Sequence, residues 1–418
     1  VLDRVRDRNI RLIYLTILLV GIAYGISIAV IAHALDERGF AKGEIGQLAA
    51  IFASGIVVMS LPAGIVLRRL SAKTTLVVCL LGYALTVGLF PLLRTFGPVA
   101  FARFFDGAFS VGVWVSCETI LLVRSDENNK AYVTSLYAMS MAIGYVIGPL
   151  LALPIVRASS MDTAFFVASA IAVVAGLLVL GRLEPDRPSE SAGPAHDGAA
   201  AASVSDAPRP ASAGSLLWRI KTSCFATFAY GYFQSSVVLF LPLFLVESKG
   251  ISRESTFLIT AFFAAGMLLF SNVAGRIGDR VGHLLVMRAC GAIGLVMVLG
   301  FVFLDSFAWM AVAVFVAGAT LASISPVSLA FLGVVIPKGD ASRANAMYNL
   351  FYAAGMLLGP PISSVLFDKL GGGSMLYHLA ALWAAFVAFA VVFAGDDPAK
   401  RHRVAPPFAP AALSGQDP

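Results

Sequence analysis

Three ionisable side chains fall inside one long apolar stretch of the sequence: Arg103, Asp106 and Glu118. Charges within a membrane-crossing helix are costly, so they pair, face a bundle interior or face water, and they mark solute and ion pathways. At about 100° per residue, Ser110 and Trp114 lie within ~20° of Arg103 on a helix, with Asp106 and Glu118 roughly 60° to either side. All five share one broad face, the expected lining of a central cavity. Arg103 and Asp106 are three residues apart and can pair, whereas Glu118 is about 22 Å from Arg103 along the axis and cannot. Burial and a moving cationic partner pull a carboxylate's proton affinity in opposite directions. Asp106 and Glu118 are therefore candidates for taking up and releasing a proton. Two other readings stay open. Arg103–Asp106 is then a fixed structural pair and Glu118 an anchor for Arg68 or Arg69, or Arg103 holds an anionic group of the solute. If Glu118 carries the proton, Glu118→Gln abolishes proton-driven transport and leaves folding intact.

The elements that position these residues follow from composition. The chain has 418 residues, 59% hydrophobic and only 13% charged, against ~25% charged in soluble globular proteins. Mean hydropathy is +0.86 and the pI is about 9.2. An ordinary soluble enzyme and a disordered chain are both excluded. The net charge of +6 does not signal nucleic acid, because the basic residues are scattered between apolar stretches rather than gathered in a patch. Stretches of about 20 apolar residues cross a bilayer as helices. Twelve are expected, at 12–34, 45–67, 74–93, 97–122, 131–154, 163–181, 221–246, 255–277, 284–304, 307–336, 342–366 and 375–394. The first is read as a retained span rather than a cleaved signal. An Ala/Pro/Ser-rich stretch splits the spans into two sixes. The expected units are 1–182, a six-helix bundle; 183–214, a flexible cytoplasmic linker; 215–394, a second six-helix bundle; and 395–418, a disordered cytoplasmic tail. The fold class is an all-α integral membrane protein, with twelve transmembrane helices in two pseudo-symmetric six-helix bundles.

Of the 30 Lys and Arg residues, 22 fall on the side of the N-terminus and 7 on the other, with Arg103 inside a span. Positive charge concentrates on the cytoplasmic side, so both termini are expected in the cytoplasm. Cys79, Cys117, Cys224 and Cys290 lie in apolar segments without paired spacing and read as packing residues. The sequence has no phosphate-binding GxxxxGK[ST] loop, metal-ligand cluster or hydrolase motif. The chain is therefore read as a non-enzyme without cofactor, driven by an ion gradient, the proton gradient foremost. Ala, Gly and Arg usage suggests a GC-rich bacterium and hence its inner membrane.

The two halves repeat at an offset of 211 residues. Gly64, Arg69, Gly107, Tyr137, Gly144, Gly148 and Pro149 correspond to Gly275, Arg280, Gly318, Tyr348, Gly355, Gly359 and Pro360. Parallel repeats of this kind characterise transporters that rock one half against the other. The segment Gly275-Arg-Ile-Gly-Asp279-Arg280-Val-Gly282-His283 resembles the G-x-x-x-D-R-x-G-[RKH] loop motif of the major facilitator superfamily. The first-half copy is degraded, with Arg68 in place of Asp and Ser71 in place of Gly. Arg103-Phe-Phe-Asp106-Gly107 resembles the superfamily's helix 4 motif. Gly144-Tyr-Val-Ile-Gly148-Pro149 resembles its antiporter-associated helix 5 motif, without the closing glycine pair. Arg103-x3-Gly107-x6-Trp114-x3-Glu118 is similar to the YcaD-like branch. The resemblance implies gating roles for Gly64, Arg68, Arg69, Gly275, Asp279, Arg280, Gly282, Gly144, Gly148, Pro149, Gly355, Gly359 and Pro360. It also implies that Asp279 approaches a helix N-terminus near Tyr132. The plainer reading of that loop is a helix-connecting turn with Gly282 at positive φ.

Superfamily analogy places further cavity residues at Tyr24 and Ser27, at Tyr230 and Gln234, and at Tyr348, Asn349 and Tyr352. With Arg103 and Trp114, all of these except Ser27 form the candidate substrate-binding set, mostly apolar and aromatic. His33, at the outer end of the first span, reads as an interfacial residue. The expected function is alternating-access secondary transport, by proton-coupled antiport that exports small amphipathic or drug-like molecules. The alternatives are proton symport or facilitated uptake of an organic anion, and a non-transporting membrane sensor or scaffold. Expected partners are a small-molecule substrate and the lipid bilayer, with no nucleic acid and a monomeric state.

Overall fold

A computed structural model describes residues 7–125, 130–184, 212–336 and 340–396, with backbone alone at 61–69, 122, 130–132, 341, 342 and 396. The expected linker and tail thus lie almost wholly outside the described residues. Among the described residues twelve long helices follow one another: α1 (Arg8–Glu37), α2 (Lys42–Arg69), α3 (Ala72–Leu89), α4 (Phe96–Arg124), α5 (Lys130–Ala158), α6 (Met161–Arg182), α7 (Ala213–Lys249), α8 (Arg253–Val281), α9 (His283–Phe303), α10 (Phe307–Val335), α11 (Ala341–Leu370) and α12 (Gly372–Val392). Each contains a stretch long and apolar enough to cross a membrane. No strand occurs among the described residues.

Most helices outrun the expected spans by a few residues at each end, because polar caps extend them. Ser71, Ser160 and Ser212 each accept a backbone N–H of the first turn that follows. The largest departure is α7, expected from 221 and starting at Ala213. At 37 residues it is about 56 Å long, against ~30 Å of hydrocarbon. Its added first turns are amphipathic. Leu216 and Ile220 are buried against Leu332, Ile336, Ala344 and Tyr348 of the second half, so tertiary packing extends the helix.

The same pairs dominate both halves: α1 on α5 and α2 on α4, then α7 on α11 and α8 on α10. Glycines permit these crossings. A Cβ at Gly107 would run into the Phe52 carbonyl, and one at Gly55 into the Phe104 carbonyl. At an offset of 211, Gly318 meets the Phe263 carbonyl and Gly266 the Phe315 carbonyl. Gly144 and Gly148 bring α5 onto Gly21 and Gly25 of α1, and Gly355 and Gly359 bring α11 onto Phe228 and Tyr232 of α7. The repeated Gly-x3-Gly-Pro stretches therefore form the α1–α5 and α7–α11 seams. Small residues serve such close approach in membranes.

The two halves meet through α2 with α11 and α5 with α8. Among the described residues, the hydrogen bonds and ion pairs joining them all lie at the face opposite the start of α1. Lys42 Nζ is 2.6 Å from Asp36 Oδ1 and 2.5 Å from Glu247 Oε1. Arg253 pairs with Glu37. His33 Nε2 is 2.9 Å from Thr256 Oγ1. His33 is buried, which corrects the expectation of an interfacial residue: its ring fills the joint between the halves.

Candidate functional site

A cavity between the halves is lined by Tyr24, Ser27, Ile28, Ile31, Ala49, Phe52, Tyr83, Arg103, Asp106, Trp114, Tyr145, Gln234, Ser235, Val238, Leu239, Tyr352 and Met356. Its volume is about 170 Å³. Its N-terminal wall is a cluster of rings around Tyr24. The ring centroids of Tyr83, Trp114 and Tyr145 lie 4.7, 6.0 and 6.2 Å from that of Tyr24. The C-terminal wall is tied by Tyr352 Oη, which donates to Gln234 Oε1 at 3.0 Å.

Arg103 and Asp106 form an ion pair within this wall, with side chains only 14% and 10% exposed. The guanidinium also lies over the Phe52 ring, 4.3 Å from its centroid. One carboxylate oxygen is thus held, while Asp106 Oδ1 is buried with no hydrogen-bond partner. Tyr24 Oη and Trp114 Nε1 are likewise buried and unpartnered. Buried polar atoms are normally satisfied. Ser27 Oγ and Tyr83 Oη on the same wall are also without a partner, so five such atoms gather there.

The cavity thus gathers Tyr24, Ser27, Arg103, Asp106, Trp114, Gln234 and Tyr352 from the sequence-based candidates. Four others stand elsewhere. Glu118 is exposed, outside the lining, and makes no hydrogen bond or ion pair among the described residues. The side chains of Arg68 and Arg69, its suggested partners, lie outside the described residues. Tyr230 stacks behind Tyr352 at 6.1 Å and reaches Met267 Sδ. Tyr348 is buried in the α7–α10–α11 cluster, its hydroxyl 2.9 Å from Ser328 Oγ. Asn349 is exposed and bonds along its own helix to Asn345. The broad α4 face is therefore split. Arg103, Asp106 and Trp114 line the cavity, Ser110 is buried against the Asp106 carbonyl, and Glu118 lies beyond the cavity's end.

A sequence model described as Major Facilitator Superfamily matches residues 13–257 and, in a second match, 223–414. The chain belongs to the major facilitator superfamily. It is similar to an uncharacterised transporter of that superfamily, YcaD, from Escherichia coli, at 24% identity over 94% of this chain and 97% of the relative. Among solved structures it is similar to a variant of the nucleoside transporter NupG, at a TM-score of 0.76 and 13% identity over 92% of this chain and 99% of the other. It is also similar to a bacterial homologue of the human lysosomal transporter Spinster in an inward-facing, occupied conformation. That match has a TM-score of 0.72 and 13% identity over 93% and 95% of the two chains. The chain is thus a multi-pass transporter of this superfamily.

Within the superfamily fold, the loop motif ends α8 as a turn: Gly282 has φ 104° and caps α8 as its backbone N–H reaches the Gly278 carbonyl. Asp279 is 70% exposed and lies 3.2 Å from His283 Nε2. The approach expected near Tyr132 falls on a side chain outside the described residues. Gly275 has open space around it, whereas the glycines of the helix crossings do not. Sequence reasoning missed Tyr83, Tyr145 and Phe52 in the cavity. Tyr145 directly follows Gly144, so its seam placed it against α1. Phe52-x2-Gly55 recurs as Phe263-x2-Gly266 at the common offset, a signal that was available.

The charged rim supports one prediction. Lys42→Gln leaves Asp36 and Glu247 facing each other without their shared cation. The expected result is easier opening at that face, seen as about two- to fivefold faster alkylation of a cysteine placed at Ser235 by an impermeant reagent added from that side.

Proposed function

We propose that the protein exchanges protons for small amphipathic organic molecules whose polar end is cationic or donates hydrogen bonds, by alternating access. The observation that carries this reading is Asp106. One carboxylate oxygen is occupied by Arg103 and the other is free, in a wall of aromatic rings. A cationic or donor group satisfies Oδ1, and the ring faces of Tyr24 and Trp114 attract it. A proton on the same carboxylate removes the charge that attracts such a group. Solute and proton then compete for one site, which is the physical content of antiport. Uptake of an organic anion fits less well, because Arg103 is already paired and stacked on Phe52. The proton gradient supplies the energy, and a monomer in the bacterial inner membrane suffices for the cycle.

The excess of Lys and Arg supports cytoplasmic termini. The Lys42, Arg253 and His33 contacts then close the outer side, and this shape is the inward-facing one. The test uses proteoliposomes with a trapped pH dye and an imposed gradient, challenged with lipophilic amines, nucleosides and organic anions. Lipophilic amines are expected to drive proton movement against the solute. Flux with anions alone sinks the antiport reading in favour of uptake, and silence across the panel favours a sensor or scaffold.

A further inference from the structure

Three voids, the first of them the cavity between the halves, share walls supplied by the N-terminal half. The central cavity and a small neighbouring void have Ser27, Ile31, Arg103 and Asp106 in common. That small void, about 10 Å³, shares Thr86 and Ala102 with a third. The third is a groove of about 440 Å³ between α3 and α4, walled by apolar side chains such as Leu85, Leu89, Phe101 and Phe105. Leu85, Leu89 and Phe101 are exposed, so in a membrane-spanning bundle the groove opens on lipid. The two helices close on each other at the groove's end, where Phe109 is its last wall. There a Cβ at Gly82 would strike the Phe109 ring and one at Gly112 the Cys79 sulfur.

We propose that this groove is a side entrance to the central cavity, taking the alkyl tail of an amphipathic substrate directly from the bilayer. The inference rests on the reading that the cavity binds solute, and adds where the solute comes from and that it has a tail. Drawing an alkyl chain through an aqueous mouth would expose it at about 0.8 kcal/mol per methylene. A passage with apolar walls avoids that exposure. The constriction is the small void, about the size of one water molecule, so passage needs Thr86 and Ala102 to part. Phe90, another of its walls, belongs to the 3-10 turn Phe90–Leu92 that follows α3, where the α-helical hydrogen bonding has already ended. Behind the constriction stands Asp106, whose free oxygen receives the polar end. The occupant is thus a single-chain amphiphile lying head-first toward α4, and not a bilayer lipid resting on the outer surface.

The experiment uses the full chain in vesicles of phosphatidylethanolamine and phosphatidylglycerol. The probe is a long-chain alkylamine with a photoactivatable diazirine at the tail end, and labelled residues are mapped by mass spectrometry. A short amine without a tail reports on the cavity alone. Label is expected on the α3–α4 groove and on Tyr24 and Trp114. Ala102→Phe fills the shared wall and is expected to keep the groove label while cutting the cavity label about tenfold, with binding of the short amine unchanged. Thr86→Leu narrows the same opening from α3 and serves where Ala102→Phe does not fold. Even labelling of all lipid-facing helices overturns the entrance. So does a cavity label unaffected by both substitutions. If the short amine still binds in either case, the cavity reading survives and only the entrance falls. If neither amine reaches the cavity, both fall.

Discussion

Asp106→Asn is expected to abolish solute-driven proton movement and to weaken binding of a cationic amphiphile by about a hundredfold. The substitution keeps the shape of the side chain and removes its charge. It leaves the Arg103 guanidinium without a counter-charge at a site only 14% exposed. Removing one partner of a buried pair costs about 3–5 kcal/mol where burial is complete, and less here because the pair borders a cavity. Stacking on Phe52 continues to hold the guanidinium, so the protein is expected to fold. The double variant Arg103→Gln with Asp106→Asn removes the orphaned charge. It is expected to regain stability and not coupling, which separates a structural role from a functional one. The decisive comparison is with Glu118→Gln in the same proteoliposomes. Coupled flux that survives Asp106→Asn and disappears in Glu118→Gln would move the proton site to the far end of α4.

Gly107→Leu is expected to yield no monodisperse protein, and Gly107→Ala to melt several degrees below the parent. The α2–α4 seam leaves no room at this position, because the Phe52 carbonyl occupies the place of a Cβ. A carbonyl within a helix cannot turn aside as a flexible side chain does. The two helices must separate, at about 1–3 kcal/mol for the smallest added group. Gly318, facing the Phe263 carbonyl, is expected to respond alike. Gly275 is the control: it belongs to a motif, yet nothing lies near it. Gly275→Ala should be neutral or slightly stabilising through helix propensity. Thermal melts with size-exclusion profiles in detergent check all three. Equal tolerance at Gly107 and Gly275 would show that the seam is looser than the structure has it.

The fold was legible because bilayer thickness leaves few choices. About 20 apolar residues can only be a crossing helix, and all twelve appeared. The start of α7 was not legible. Residues 213–220 project beyond hydrocarbon length, and what holds them helical is a partner surface on α10 and α11. In the site, Arg103, Asp106 and Trp114 were found by their cost or size on one helix face. Glu118 shares that face by angle alone, and a helix wheel carries no depth: the cavity ends before it. Tyr230 and Tyr348 were chosen as polar aromatics in inner helices, but the first backs Tyr352 and the second is bonded within its own half. Tyr83 was invisible because α3 reads as a uniformly apolar span, and only tertiary structure shows one of its rings turned inward against Tyr24.

The repeat at 211 residues also has a historical consequence. An even number of crossings returns the chain to the side it left, so a tandem copy enters the membrane in the orientation of the first. A six-helix ancestor pairing with itself around a two-fold axis would have enclosed a crevice with identical walls. The present walls are not identical. Val314 and Ala317 stand where the first half has Arg103 and Asp106, and Ala23 and Met141 stand where the second has Gln234 and Tyr352. A homodimer would carry two such ion pairs or none. Only once the two copies could diverge from each other could a single charged pair face a neutral wall.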